Sequence, residues 1–152
     1  MRSKLLHFLL FILPFCTKGQ TISINNQTQS LDLQQIATVY KTQNHQLVIN
    51  QILQANQLIF KPINHLNIGI TYTDYWVKFS LKNTENNDLK LRLAFESIVN
   101  DSLFLYKVVN QKVVETTLLG EYLPFSESKI KNRTPVFEIN LSANEQADFY
   151  LK

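Results

Sequence analysis

The stretch LNIGITYTDYWVKFSLKN, residues 66–83, decides the fold class, because its second half alternates with the two-residue period of a β-strand. The residues of one face are apolar: Tyr75, Val77, Phe79 and Leu81. Those of the other face are mainly polar: Trp76, Lys78, Ser80 and Lys82. Since successive side chains of a strand point to opposite faces, the pattern predicts one buried face and one face that begins with the only tryptophan of the chain.

Later segments continue the strand pattern. DLKLRLAFES (residues 88–97) alternates leucines with basic residues, and DSLFLYKVV (residues 101–109) is apolar on both faces, as in a strand buried between layers. Further strands are predicted within residues 111–119, 134–142 and 148–152. Short strands about 8–15 residues apart, with no helices between them, predict an all-β fold, an antiparallel β-sandwich. NTENND (residues 83–88) has the composition of a hairpin loop, so the strands that flank it are predicted to pair.

The region before these strands is less regular. SLDLQQIATVY (residues 30–40) offers Ser30 as an N-cap before an apolar pattern, which predicts one short helix. A helix or turn is expected near residues 47–55 and a short strand near residues 58–60. The chain stops within the last predicted strand, so we expect an open sheet edge there and a fragment of a longer protein.

The first 19 residues have the layout of a secretory signal peptide: a basic start at Arg2 and Lys4, an apolar run and a small or polar end. The run spans about 12 residues, short of the ~20 that cross a bilayer. The bulky Phe15 before Cys16 disfavours a lipoprotein. The predicted organisation is a signal peptide over 1–19, a polar lead-in over 20–29 and the sandwich domain over 30–152.

The net charge of +3 comes from the predicted signal peptide. Arg2, Lys4 and Lys18 are three of the 15 basic residues, which leaves 12 basic against 12 acidic side chains in the exported part. A neutral domain gives no electrostatic argument for nucleic-acid binding. The single cysteine, Cys16, also lies in the signal peptide, so we expect no disulfide, which fits a bacterial periplasm better than eukaryotic secretion.

Catalytic constellations are sparse, and the sequence predicts no enzyme. His45 and His65 lie twenty residues apart with no cysteine between them, so neither a metal nor another cofactor is expected. Glu96 and Asp101 are the one candidate pair for a glycan-active enzyme. Solvated turn charges are the commoner explanation for such a pair.

The candidate binding residues lie on the outward strand faces. If the first two strands form a hairpin, Trp76, Lys78, Lys90 and Arg92 share one face, where an aromatic ring beside cations suits a sugar ring, an aromatic acid or an anionic glycan. A lone tryptophan at a strand start also packs in many cores, so both interpretations stay open. Arg133 precedes a predicted strand, in a position that suits a clamp on a carboxylate or a backbone carbonyl, although a purely structural role is the commoner explanation.

An ordered series of motifs resembles a known family. LNIG, YWVKFSLKN, LRLAFESIVNDSLFLYK, LGEYLPFSESKIKNRTPVFEINL and FYLK occur in that order over residues 30–152. The series resembles extracellular domain 2 of bacterial seven-transmembrane receptors with diverse intracellular signalling modules. The matching positions are Asn67, Gly69, Tyr75, Trp76, Lys78, Phe79, Tyr106, Gly120, Pro124, Phe125, Arg133 and Phe137. Lys78 and Lys129 stand where an arginine is commoner, and a lysine cannot make the forked contact of a guanidinium.

The resemblance implies a periplasmic jelly-roll sandwich, similar to carbohydrate-binding modules. It also implies a sensor of small molecules or carbohydrates, joined in the full-length protein to a membrane core and an output such as a two-component kinase. The leading hypothesis is therefore a ligand-sensing receptor domain, present here without its membrane and output parts. The alternative is a module for protein–protein interaction or homodimerisation, which would use the open C-terminal strand edge. A free secreted binding domain is a further alternative.

Overall fold

A computed structural model of the chain describes residues 20–55, 57–63, 73–94, 102–120 and 135–152. The strands within these ranges are β1 Thr21–Ile24, β2 Thr38–Thr42, β3 Lys61–Pro62, β4 Asp74–Asn83, β5 Leu89–Ala94, β6 Leu103–Val109, β7 Lys112–Leu119, β8 Val136–Leu141 and β9 Gln146–Leu151. The helical segments are a 3-10 helix, Leu33–Gln35, and one α-helix, α1, Ile49–Gln54.

The strands form a large and a small sheet. The large sheet has the order β3-β2-β4-β9-β6-β7, and β1 lies beside β4 in parallel orientation. The other pairings of the large sheet are antiparallel. The small sheet is the antiparallel pair β5-β8. The predicted all-β, mainly antiparallel sandwich is confirmed.

The main core lies between the two sheets, where the alternating leucine, phenylalanine and isoleucine positions meet. The small sheet contributes side chains such as Leu141 and Phe137, and the large sheet contributes Phe79 and Phe149, all at most 2% exposed. The Phe79 and Phe149 rings stack with centroids 5.1 Å apart. Burial of this apolar surface is the main stabilising contribution to the sandwich.

The predicted hairpin between the first two strands is wrong. β4 pairs with β9 and β5 pairs with β8, so the segment 84–88 crosses from one sheet to the other. Asn83, fully buried at this crossing, donates from Nδ2 to the carbonyls of Asn87 (2.9 Å) and Ser142 (2.8 Å), and its Oδ1 accepts from the Glu85 amide. A polar loop between two alternating strands suits a hairpin or an inter-sheet crossing equally well, so local sequence does not distinguish them.

The last strand is also placed differently from the prediction. β9 pairs on one side with β4 and on the other with β6, so it lies inside the large sheet and offers no open edge. The Lys152 amide and carbonyl continue this pairing through reciprocal hydrogen bonds with Phe104, each 2.9 Å long. An edge strand cannot be told from a central one by its own alternation.

The helix predicted over residues 30–40 is reduced to a single 3-10 turn, Leu33–Gln35, and residues 38–42 form strand β2 instead. Asp32, rather than Ser30, caps the turn by accepting from the Gln34 amide. The helix or turn expected near 47–55 is α1. The strand expected near 58–60 is shifted to Lys61–Pro62.

α1 packs on the face of the large sheet that points away from the main core. There it buries a second, smaller set of side chains: Ile49, Ile52, Trp76, Val108 and Tyr150. We call this set the outer cluster. The molecule therefore has three layers, namely the small sheet, the large sheet and the short segment that contains α1.

Candidate ligand-binding site

A polar group of side chains lies on the outer face of the large sheet, where β4 and β9 run side by side. In their register, Lys78 is opposite Tyr150 and Ser80 is opposite Asp148. The strand period explains the set, because Phe79 and Phe149 between them point into the main core. The sheet thus presents an ammonium, a hydroxyl, a carboxylate and a phenol next to one another.

These side chains form one wall of a cleft of about 230 Å³. Lys78, Asp148 and Tyr150 lie on the sheet side. The remaining lining residues come from α1, the segment that follows it, strand β6 and the β6–β7 turn: Ile52, Leu53, Ala55, Leu58, Phe60, Val108 and Gln111. The cleft is therefore lined by both apolar and polar side chains, and most of its accessible surface is polar.

The charged pair in the cleft is oriented by its neighbours. Lys78 Nζ lies 3.4 Å from Asp148 Oδ2, and Ser80 Oγ donates to Asp148 Oδ1 at 2.5 Å. The side chains of Lys78 and Asp148 are 28% and 36% exposed, so solvent and ligands reach both. Ser80 itself is buried and holds the carboxylate in one orientation.

Lys78 is held in its charged form. Its Nζ lies 5.2 Å from the centroid of the Tyr150 ring. Burial alone would lower the pKa of Lys78, but the hydrogen bonds and charge interactions with Tyr150 and Asp148 outweigh burial and raise that pKa above its ordinary value. At neutral pH Lys78 is therefore an ammonium that lies beside Asp148 in the cleft.

Two aromatic rings, Phe60 and Tyr150, line the cleft together with this pair. Phe60 meets Tyr150 edge to face, with centroids 6.1 Å apart, and meets Tyr40 at 5.8 Å. Phe60 is half-buried, so part of its ring is open to the cleft. Aromatic rings beside hydrogen-bonding groups suit a ligand that has both apolar and polar surface.

Trp76 lies beneath α1 and is fully buried. Its ring stacks on Tyr106 at a centroid distance of 5.8 Å, and burial raises the pKa of the Tyr106 phenol. Lys152 Nζ lies 5.6 Å from the Trp76 ring centroid. Of the two sequence-based alternatives, packing describes this arrangement, and a ligand reaches the indole only if the residues above it move.

The other predicted site residues do not join Trp76 and Lys78. Lys90 and Arg92 are exposed on the outer face of the small sheet, opposite Asn140 and Glu138, with both sheets between them and the cleft. The shared face required the β4–β5 hairpin, which does not form. Arg133, Glu96, Asp101 and His65 lie outside the described residues, so their predicted roles stay predictions.

Of the residues that line the cleft, only Lys78 was named by the sequence analysis, which missed Phe60, Asp148 and Tyr150 among others. The alternation of DFYLK places Asp148 and Tyr150 on one face, which was a usable signal. What the sequence lacked was the pairing of β9 with β4, which brings that face beside Lys78. Phe60 precedes a two-residue strand and carries no pattern of its own.

Comparison with known proteins adds the family. No curated protein matches the chain. Within the described ranges, no helix is both long and apolar enough to cross a bilayer. A family model described as 7TMR-DISM extracellular 2 matches residues 25–152, which is most of the chain and includes every strand from β2 to β9. The chain therefore belongs to the 7TMR-DISM extracellular 2 family and is an extracellular sensing domain of the seven-transmembrane receptor type.

Proposed function

We propose that this domain senses a small, neutral carbohydrate on the periplasmic side of a bacterial membrane, and that the cleft between α1 and the large sheet is its binding site. The observation that carries the proposal is the Lys78–Asp148 pair beside the Phe60 and Tyr150 rings. In the full-length receptor, binding would shift the population of domain conformations that the membrane core detects.

Charge supports a neutral ligand. An anion would compete with Asp148 for Lys78, and a cation would compete with Lys78 for Asp148, so either would leave one charge of the cleft without a partner. A hydroxyl group both donates and accepts hydrogen bonds, so a polyhydroxyl ligand can accept from the ammonium and donate to the carboxylate at once.

Size and shape support a single ring. The cleft of about 230 Å³ is smaller than the about 300–1,000 Å³ that holds drug-sized ligands. The apolar face of a sugar ring can pack on the exposed part of Phe60 while its hydroxyls face Lys78 and Gln111. A monosaccharide, or one terminal unit of a glycan, fits these limits.

The proposal assigns the domain neither an enzymatic activity nor a cofactor. Lys78 has a raised pKa and keeps its proton at neutral pH, so it is suited to binding rather than to proton transfer. The alternative function, dimerisation through the C-terminal strand, rested on an open sheet edge. That edge is not open, because β9 is paired on both sides.

Thermal unfolding of the purified domain against a panel of neutral, acidic and amino monosaccharides tests the proposal. A ligand that binds only the folded state raises Tm with concentration, and we expect this from at least one neutral sugar and not from its uronic acid. The shift should disappear in Lys78→Met and in Phe60→Ala.

Lys90→Met is the matched control, since Lys90 is an exposed lysine on β5 of the small sheet, with both sheets between it and the cleft. It should keep the full shift. The proposal fails if no neutral sugar raises Tm, or if Lys78→Met and Phe60→Ala respond to the sugar as the parent does.

A further inference from the structure

We propose that residues 45–55, here called the lid, open and close over Trp76, and that the side chain of Lys152 is the latch that holds them closed. The inference deepens the proposed function, because the lid also lines the cleft through Ile52, Leu53 and Ala55. It concerns how access to the cleft is regulated.

The lid is weakly held by its own structure. α1 has six residues, which is too short to be stable without packing. Its N-cap, Val48, has no side-chain acceptor, and the one side chain that assists is Gln51, whose Oε1 accepts from the Val48 amide at 3.1 Å. Val48 is 53% exposed, so it contributes little apolar burial.

The packing beneath the lid is also imperfect. Ile49 and Ile52 cover Trp76, yet Trp76 Nε1 has no hydrogen-bond partner among the described residues. A buried donor without an acceptor disfavours the closed state, because water would satisfy it on opening. Closure of the lid therefore needs a compensating attraction.

Lys152 supplies that attraction through several contacts at once. Its Nζ donates to the carbonyl of His45 (3.0 Å) and to that of Leu47 (3.3 Å), and it lies 3.1 Å from Asp74 Oδ2. Asp74 Oδ1 in turn lies 2.9 Å from His45 Nδ1. Hydrogen bonds to charged groups are stronger than neutral ones, and these bind the start of the lid to the ends of β4 and β9.

The latch and the cleft share strand β9. Asp148 and Tyr150 line the cleft, and Lys152 follows on the same face, since residues two apart on a strand point the same way. The backbone of Lys152 is fixed by its two hydrogen bonds to Phe104, so the side chain is the part that can release. A ligand that shifts Tyr150 or Asp148 acts on the strand that carries the latch.

The experiment needs no ligand, so its failure is distinguishable from failure of the carbohydrate proposal. Trp76 is the only tryptophan of the chain, and its fluorescence therefore reports on this one position. We would measure acrylamide quenching of Trp76 and amide hydrogen exchange in the parent, Lys152→Met and Asp74→Asn. Methionine keeps the apolar stem of the lysine and removes the donor, and asparagine removes the charge that the donor faces.

Both variants should quench more readily than the parent, and the amides of 49–54 should exchange about two- to fivefold faster, as expected when a partly exposed contact between charged groups is lost. The amides of Phe79 and Phe149 in the large sheet should keep their parental exchange rates. Lys90→Met, on the outer face of the small sheet, is the control and should behave as the parent in both measurements.

Two outcomes would overturn the proposal. One is parental quenching of Trp76 in folded Lys152→Met and Asp74→Asn. The other is a uniform rise in exchange, equal for the lid and for β4 and β9, which would make Lys152 a general stabilising residue and not a latch.

Discussion

The two faces of the large sheet are built from the same strands but differ in the kinds of side chain that they bury. Toward the small sheet, side chains such as Phe79, Phe149 and Leu141 pack against one another in a core of apolar residues. Toward α1, the outer cluster is small, includes an indole nitrogen with no hydrogen-bond partner in the part of the chain that the structure describes, and borders a cleft with an ion pair. A dry, well-packed face gives stability, whereas a thinly covered polar face gives access.

The largest effect is expected from the main core. Phe149→Ala should lower the free energy of unfolding by about 3–5 kcal/mol, because it removes a ring that is 1% exposed and stacked on Phe79. Chemical denaturation measures this. A loss of unfolding free energy below about 1 kcal/mol would show that the face toward the small sheet is not the main source of stability. The two faces of the large sheet would then not differ in this respect.

Asn83→Ala should have the next largest effect, about 1–3 kcal/mol, because it leaves the carbonyls of Asn87, Leu141 and Ser142 without their shared donor. These carbonyls belong to the inter-sheet crossing and to the end of β8. Equilibrium unfolding gives the size of the loss, and Asn87→Ala, an exposed neighbour, is the control. An unchanged stability of Asn83→Ala would mean that water replaces the amide and that the crossing does not depend on it.

Ile52→Ala should lower the global free energy of unfolding less than Phe149→Ala, by about 1 kcal/mol, although Ile52 is only 5% exposed. Once the lid is open, further weakening of its packing no longer affects the rest of the protein, so the loss cannot exceed the free energy of lid closure. Amide exchange should show the difference as faster exchange confined to 49–54. A loss of unfolding free energy as large as that of Phe149→Ala would show that the lid unfolds only together with the main core.

The pH dependence of the latch should be smaller still. Burial alone would raise the pKa of Asp74, but hydrogen bonds and charge interactions with His45 and Lys152 outweigh burial and lower that pKa below its ordinary value. The contribution of Asp74 is therefore fully present above about pH 4 and is lost as pH falls through the lower pKa of the folded state.

Unfolding from pH 7 to pH 2 should show Asp74→Asn less stable than the parent by about 0.5–1 kcal/mol at neutral pH, the range of partly exposed ion pairs. The difference should vanish at the acid end. A difference that is constant over the whole pH range would exclude the carboxylate charge as its cause.

The smallest effect is expected on the outer face of the small sheet. Lys90→Ala and Arg92→Ala together should change stability by less than about 0.5 kcal/mol, because both side chains are exposed. They should also leave any sugar-induced rise in Tm unchanged, since they lie across both sheets from the cleft. If the double variant lost that rise in Tm, the ligand would bind at the small sheet, which would contradict the cleft as the binding site.

Of the candidate site, Lys78 alone was named from the sequence, although the alternation of the last strand also placed Asp148 and Tyr150 on one face. Alternation placed Lys78 and Trp76 on the face opposite Phe79, and that placement is confirmed. It gave no information on the layer that covers them, because α1 is six residues long and its pattern is mixed. Grouping Lys90 and Arg92 with Lys78 required a strand pairing that alternation cannot predict.

By itself, the sequence determined the fold class and the family, because the period of two, the turn composition and the order of motifs are local properties of the chain. The tertiary structure decided which strands became neighbours: β9 between β4 and β6, and β5 across the core from β4. Those choices follow from contacts between residues far apart in the chain, which only the assembled core makes favourable. They also decided where the proposed binding site lies, since the cleft exists only where β4, β9 and the lid come together.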